Sequence, residues 1–185
     1  MRSQLKWVIV FSAGTTIVFC ASFVLFFFFS QRVDPGAGHP SRQRRLRIEV
    51  GKPIPEGELV DLSDTRLGED ALRRGKVVLV FLIPHCEPCQ REGEFLNTIL
   101  NRRKDVRFYG VVSFGERQSV LQAAASEFSI KVFYDRDLRI GHSLGINQAP
   151  VKVFLKEGIV ERFWEGATVE DEDKQSFIKW LDELQ

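Results

Sequence analysis

The pattern of hydrophobic and polar positions changes sharply in the middle of the chain. The stretch KVVLVFLI, residues 76–83, is almost continuously apolar and rich in β-branched side chains. This pattern is typical of a strand that is buried on both faces, and Pro84 ends it. After Cys89 the apolar positions instead recur at helical spacing, at Phe95, Leu96, Ile99 and Leu100. The sequence therefore predicts a buried strand followed at once by an amphipathic helix.

Further along the chain the pattern predicts more strands and helices in alternation. These elements are strands at 106–113 and 131–135, an alanine-rich helix at 117–128, two strands within 151–166 joined by a turn at Glu157-Gly158, and a helix at 171–184. Acidic residues occupy the first turn of the last helix, where the helix dipole favours them. This order of elements predicts an α/β fold in which a central mixed sheet is covered on both faces.

The N-terminal part has a different character. Residues 7–29 form an uncharged run of 23 residues. As a helix this run would extend about 34 Å, enough to cross a bilayer core of about 30 Å. It ends in phenylalanines followed by Ser30 and Gln31, rather than in the small-residue cleavage site of a signal peptide. We therefore expect an uncleaved transmembrane anchor that contacts lipid, with residues 1–6 as its N-terminal flank.

Composition separates this anchor from a globular domain. Residues 30–45 are rich in proline, glycine and charge, with Val33 as the one large apolar residue, and are predicted to form a flexible linker. The domain then spans 46–185, a usual length for a single core. The net charge of +1 gives no indication of a nucleic-acid partner. Local basic residues at Arg42, Arg44, Arg45 and Arg47 favour a solvated linker, with lipid headgroup contact as the alternative.

Cys86 and Cys89, two of the three cysteines of the chain, lie where the strand 76–83 gives way to a helix. In open α/β sheets, binding and catalytic sites lie at the carboxyl ends of the strands, where this pair is placed. A helix N-terminus and a Cys-x-x-Cys arrangement lower the pKa of a thiol from about 8.5 to between about 3.5 and 7.5. The two sulfurs are one helical turn apart and can join without unfolding the helix. We expect Cys86 to attack or be attacked, and Cys89 to resolve the mixed disulfide.

The residues around the pair are candidates for substrate binding. Pro88 suits a first helical turn, because its missing N–H is not needed there. The negative charge of Glu87 should oppose a thiolate at Cys86, whereas a protonated His85 should favour it. Two unreactive thiols are the alternative interpretation of the pair.

A metal site is a further alternative, which the sequence does not favour. Tetrahedral zinc requires four ligands, and the histidines that remain outside the pair are His39, His85 and His142. A c-type haem site would require histidine directly after the second cysteine, where this chain has Gln90. We therefore predict no metal and no other cofactor, and we place His142 on an exposed loop.

Several motifs follow one another in a fixed order across residues 50–168. They are GKPIP, LVDL, RRGKVVLVFLIPHCEPCQREGEFL, VRFYGVVS, YDRD and LGINQAPVKVFLKEGIVERFWEG. With these motifs in this order, the chain resembles the membrane-anchored thioredoxin-like thiol–disulfide oxidoreductases of bacteria, including those that serve cytochrome c maturation. The resemblance implies a thioredoxin-like three-layer fold and a redox-active disulfide between Cys86 and Cys89.

The resemblance also implies roles for residues outside the pair. Pro150 is expected to be a cis proline opposite the disulfide, with the backbone of Ala149 available to a substrate strand. Glu92 matches an acidic position that tunes the thiols or relays a proton; a solvated helix carboxylate is the alternative. The chain departs from its relatives in two ways: His85 replaces a tryptophan, and residues 76–83 lack the buried acid of the usual thioredoxins.

The expected function is the reduction of disulfides in client proteins, as a contribution to cell redox homeostasis. We expect a single-pass protein of the cytoplasmic membrane whose domain lies on the extracytoplasmic (periplasmic) side. Because the domain has no third cysteine, we expect an integral-membrane thiol-transfer protein to donate its electrons. A thiol peroxidase is one alternative, since RFYGVVSFGE and GKPIP also occur in peroxiredoxin-like chains. A metal carrier that uses Cys86, Cys89 and His85, or a binding module without turnover, is the other.

Overall fold

The computed structural model describes residues 46–68 and 70–184. The predicted N-terminal flank, the anchor at 7–29 and the linker at 30–45 lie outside the described residues. Within the described part, no helix has both the length and the apolar character needed to cross a membrane.

Six strands and five helices form the described domain. The strands are β1 (Glu58–Val60), β2 (Lys76–Phe81), β3 (Val106–Val112), β4 (Lys131–Arg136), β5 (Val151–Lys156) and β6 (Ile159–Glu165). The helices are α1 (Asp70–Arg73), α2 (Glu87–Ile99), α3 (Arg117–Glu127), α4 (Arg139–Leu144) and α5 (Asp171–Glu183). The sheet order is β1-β4-β3-β2-β5-β6. Strands β2, β3 and β4 are parallel, while β1, β5 and β6 run antiparallel to their neighbours, so the predicted mixed sheet is confirmed.

The central strand β2 is buried on both faces, which explains its continuous apolar sequence. Val78 and Val80 pack into one core cluster together with residues of α2, α3 and α5. Val77, Leu79 and Phe81 point the other way, into a second cluster with residues of α1 and α4. The result is the three-layer, thioredoxin-like arrangement that the resemblance implied.

The predicted turn at Glu157-Gly158 joins β5 to β6 as expected. Both residues have positive φ, 51° for Glu157 and 77° for Gly158, which matches the twist of a two-residue hairpin. A Cβ atom at Gly158 would lie 3.1 Å from the Cα atom of Arg73, so the turn also needs glycine for close packing against α1.

Two local predictions are wrong. The strand predicted at 76–83 ends as β2 at Phe81, although the N–H of Leu82 still donates to the carbonyl of Val111 at 2.9 Å. His142 lies on helix α4 rather than on a loop, although it is exposed as predicted. Helix α4 has only six residues and no side-chain cap from its own N-cap residue, so it lacks the signals from which a helix is predicted.

Candidate active site

The two cysteines form the first turn of α2. Cys86 is the N-cap residue, and its sulfur accepts a hydrogen bond from the backbone N–H of Cys89 at 3.3 Å. The two sulfurs are joined in a disulfide, and the two Cα atoms are 5.2 Å apart, within the usual range. Cys89 is fully buried, whereas Cys86 is partly exposed. One sulfur of the pair is therefore accessible at the amide end of a helix, and the other lies inside the core.

The residue before the pair is held by a carboxylate from another helix. His85 has a positive φ of 59°, and its backbone N–H lies 3.2 Å and 3.0 Å from the two carboxylate oxygens of Glu127. Its ring Nδ1 lies 2.7 Å from Oε1 of the same carboxylate. Glu127 was not found by sequence reasoning because it lies 42 residues away, at the end of α3. One weak signal existed, since a carboxylate in the last turn of a helix opposes the helix dipole.

Two further predicted residues lie in the first turn of α2, where both are exposed. Pro88 takes the early helical position that sequence reasoning assigned to it. The carboxylate of Glu87 forms an ion pair with Arg91, one turn along the helix, at 2.7 Å. The guanidinium of Arg91 thus partly offsets the negative charge that Glu87 brings near Cys86.

Glu92 is completely buried beneath the pair, one helical turn after Cys89, so its interpretation as a solvated carboxylate is wrong. One carboxylate oxygen lies 3.0 Å from Nζ of Lys152 and accepts the backbone N–H of Thr168 at 2.6 Å. The other oxygen accepts the hydroxyl of Thr168 at 3.3 Å. Burial lowers the pKa of Lys152, and the Glu92 carboxylate opposes that shift. The site thus contains a buried acid with a buried base beside it.

Lys152 was not identified from the sequence. It pairs with Val80 in the sheet register and points to the same core cluster as α2. Its ammonium group also donates to the carbonyl of Gly166 at 3.1 Å. The available signal was a single charged residue inside the apolar strand sequence VKVFL, because a lysine is almost never buried without a partner. Strand β2 carries no acid, as noted from the sequence, and α2 supplies one instead.

The peptide bond between Ala149 and Pro150 is cis, in agreement with the resemblance. Val151, the next residue, pairs with Phe81 at the carboxyl end of β2, so the cis bond lies at the sheet edge from which the Cys pair projects. Ala149 and Cys86, each half-buried, pack against the core cluster that contains Cys89. The structure therefore brings the predicted cysteines and the predicted Ala149–Pro150 bond to one end of the domain.

A family model described as Redoxin matches residues 49–174 of the chain. The chain belongs to the Redoxin family. No curated protein matches it.

Solved structures share the fold of this Redoxin domain at low sequence identity. A proposed thiol:disulfide interchange protein DsbE from Chlorobium tepidum has a TM-score of 0.62 and 16% identity, covering 72% of this chain and 96% of its own. The thioredoxin domain of a thiol-disulfide oxidoreductase from Bacteroides vulgatus has a TM-score of 0.59 and 16% identity, covering 72% and 98%. A secreted Mycobacterium tuberculosis disulfide oxidoreductase homologous to Escherichia coli DsbE has a TM-score of 0.56 and 19% identity, covering 68% and 94%.

The metal carrier considered from the sequence would use Cys86, Cys89 and His85 as its ligands. Across residues 46–68 and 70–184, no group of three or more His, Cys, Asp or Glu side chains is placed to hold a metal ion.

A second buried carboxyl group of the Redoxin domain, Asp135, lies near the end of β4. It accepts hydrogen bonds from the N–H groups of Ile140 at 3.2 Å and Gly141 at 2.7 Å, and from the hydroxyl of Ser113 at 3.1 Å. Burial raises the pKa of Asp135, and these neutral donors oppose the shift only in part. This carboxyl group therefore caps α4, a helix whose own sequence provides no cap.

Proposed function

We propose that this Redoxin-family protein exchanges thiols and disulfides with client proteins, and that it reduces client disulfides. The observation that carries the proposal is the disulfide between a partly exposed Cys86 at the helix amide end and a buried Cys89. The sequence resembles membrane-tethered proteins with the same CEPC motif, and these mostly reduce their clients. Structures of similar fold include proteins named as thiol–disulfide oxidoreductases.

The reaction follows from the different exposure of the two sulfurs. In the reduced protein, the Cys86 thiolate attacks one sulfur of a client disulfide and forms a mixed disulfide, and the other client sulfur leaves and takes up a proton. Cys89 then loses its proton and attacks the sulfur of Cys86. The Cys86–Cys89 disulfide forms and the second client thiol is released. The client gains two electrons and two protons; the pair supplies both electrons and, counted from its dithiol form, both protons.

We also propose that a client backbone binds beside Ala149. An extended client segment can lie beside Ala149, just before β5, and extend the local backbone pairing next to the accessible sulfur. His85, Glu87 and Pro88 surround Cys86 on the exposed side and would contact the client. Such main-chain recognition would accept clients of different sequence.

Glu92 is proposed to handle the proton of Cys89. The carboxylate lies one turn beyond Cys89 in the same buried cluster, and water is excluded from both groups. A buried acid next to the resolving thiol can accept its proton when Cys89 attacks. The ammonium group of Lys152, 3.0 Å away, holds the Glu92 carboxyl group in place.

The compartment and the electron donor are also proposals. The anchor at 7–29 would tether the domain to the cytoplasmic membrane, with clients on the extracytoplasmic side, and cytochrome c maturation is one process in which such clients occur. Since Cys86 and Cys89 are the only cysteines of residues 46–185, electrons must come from another protein. An integral-membrane thiol-transfer protein would meet this requirement.

Trapping tests the proposal directly. In cells that express the full chain, Cys89→Ser should retain clients in a mixed disulfide with Cys86, visible as adducts that dithiothreitol releases. The matched control Cys86→Ser should retain none. If the purified wild-type protein fails to catalyse insulin reduction by dithiothreitol and Cys89→Ser captures nothing, the proposal is wrong. Consumption of peroxide that is lost in Cys86→Ser would instead favour the thiol peroxidase.

A further inference from the structure

The contact between Glu127 and His85 joins two elements beside the accessible sulfur. The side chain of His85 is 80% exposed, whereas that of Glu127 is only 15% exposed. The carboxylate binds both the backbone N–H and the ring Nδ1 of one residue, the residue that immediately precedes Cys86. Such a contact fixes both the backbone conformation and the ring position of an otherwise solvent-exposed histidine.

Helix stability does not explain why a glutamate occupies position 127, whereas the contact with His85 does. It is the last residue of α3, where the helix dipole disfavours a negative charge. Glu183 has the same position in α5, but its side chain is 67% exposed and its nearest cation, Lys179, lies 4.0 Å away. The two glutamates share the unfavourable helix position, but only Glu127 is turned inward onto a residue of the site.

The contact also determines which ring nitrogen is available for chemistry. When Nδ1–H donates to a carboxylate, Nε2 is the nitrogen left to accept or give a proton. A base whose ring is oriented by a third group is the usual arrangement beside a nucleophile. Glu127, His85 and Cys86 have this order, although His85 and Cys86 are adjacent along the chain.

We propose that Glu127 is a positioning residue that holds His85 so that Nε2–H protonates the thiolate leaving the client. The inference rests on the proposed disulfide exchange. As the Cys86 thiolate forms its bond to one client sulfur, the client S–S bond breaks, and the electron pair of that bond stays on the leaving sulfur. That sulfur takes the proton from Nε2 of the His85 imidazolium. The neutral imidazole that remains keeps its Nδ1–H bond to Glu127 and recovers a proton from solvent.

Two disulfides with different leaving groups test the inference on the reduced full-length protein. The leaving thiolate of Ellman's reagent is aromatic and weakly basic, so it departs without a proton. Each thiolate that leaves glutathione disulfide is a basic alkyl thiolate, so its departure benefits from proton donation. The rates of Cys86 with both reagents are measured for the wild type, Glu127→Ala, Glu127→Gln and His85→Gln, with Glu183→Ala as the control for loss of a carboxylate at a helix end.

We expect His85→Gln and Glu127→Ala to slow the reaction with glutathione disulfide at least about tenfold, at the lower end of general acid catalysis. In Glu127→Ala the rate with Ellman's reagent should change less than about twofold, because Cys86 keeps its helix amide environment. His85→Gln also removes a group that favours the Cys86 thiolate, so its rate with Ellman's reagent should fall, but by less than its rate with glutathione disulfide. Glu127→Gln should recover most of the lost rate, since its amide oxygen still accepts from Nδ1–H. Glu183→Ala should behave as the wild type with both reagents.

Other outcomes overturn the inference. Equal losses with both reagents would show that Glu127 affects the Cys86 thiolate or the local fold rather than the leaving group. Unchanged rates in Glu127→Ala would show that the contact has no role in exchange, while the proposed function would stand. Should Glu127→Ala fail to fold, the ratio of the two rates in Glu127→Gln and His85→Gln decides between these outcomes. A wild type that reacts with neither disulfide would instead refute the proposed function itself.

Discussion

Two carboxylates flank the Cys pair, each with one basic side chain as its partner, and they differ mainly in burial. On the inner side, Glu92 and Lys152 are 3.0 Å apart, and their side chains are 0% and 1% exposed. On the outer side, Glu127 and His85 are 2.7 Å apart, and the histidine is 80% exposed. The distances are nearly equal, so distance does not distinguish the two pairs.

Burial gives the two pairs different consequences. In the core, neither Glu92 nor Lys152 can turn to water, so removal of one leaves the other as an uncompensated charge. At the rim, His85 is solvated, so the contact contributes little to stability and can affect the reaction instead. Loss of the inner pair should therefore cost the fold far more stability than loss of the outer pair, whose effect should fall mainly on catalysis.

Lys152→Met should produce the largest effect on stability. It leaves the buried Glu92 without its cation, and breaking such a pair destabilises a protein by about 3–5 kcal/mol. Urea unfolding would measure the change, followed by the fluorescence of Trp164 and Trp180, whose rings pack 4.5 Å apart against the same core.

The double variant Glu92→Gln/Lys152→Met provides the control. It removes both charges together, so it should recover a large part of the stability that Lys152→Met loses. A loss below about 1 kcal/mol in Lys152→Met would mean that Glu92 is accommodated without its cation, and the contrast between inner and outer pairs would disappear.

Asp135 sharpens the comparison, because it is a buried carboxyl group whose hydrogen-bond donors are neutral. Its pKa is raised in the folded protein, so the fold favours the protonated form. The stability from this group is present below its unfolded pKa and is lost as pH rises through its folded pKa. Asp135→Asn stays neutral at every pH. The wild type should therefore lose stability relative to this variant as pH rises from about 4.

Unfolding free energies of both proteins across the acidic to neutral range would test this sign. If the wild type instead gained stability relative to Asp135→Asn with rising pH, the charged form of Asp135 would be the one that the fold favours. Neutral hydrogen-bond donors would then suffice to hold a buried carboxylate without a cation.

The elements that hold the Cys pair could be predicted because their signals are local. The apolar run of β2 and the change of period after Cys89 both lie within a few residues of the pair. The hairpin turn at Glu157-Gly158 was found for the same reason. The resemblance added Glu92 and Pro150, whose positions no local pattern fixes.

The partners of these residues could not be predicted, because each contact depends on register and packing between distant segments. Lys152 contacts Glu92 because Lys152 of β5 pairs with Val80 of β2. The alternation of apolar and polar residues in a strand predicts which face each side chain is on, but it does not predict the register between two strands. Glu127 meets His85 because α3 ends beside the start of α2. Helix α4 was missed since its cap, Asp135, comes from the preceding strand rather than from its own sequence.

Glu127→Ala should have the smallest effect on stability. It removes three contacts from His85, but the histidine remains solvated, and exposed pairs of this kind are worth at most about 1 kcal/mol. Removal of a negative charge from the C-terminus of α3 also relieves an unfavourable interaction with the helix dipole, which offsets part of the loss. We therefore expect urea midpoints for Glu127→Ala and Glu183→Ala that lie close together. A loss in Glu127→Ala as large as that in Lys152→Met would show that the outer pair also supports the fold. Its effect on the exchange of glutathione disulfide would then have to be judged from His85→Gln, which keeps the backbone N–H that the Glu127 carboxylate accepts.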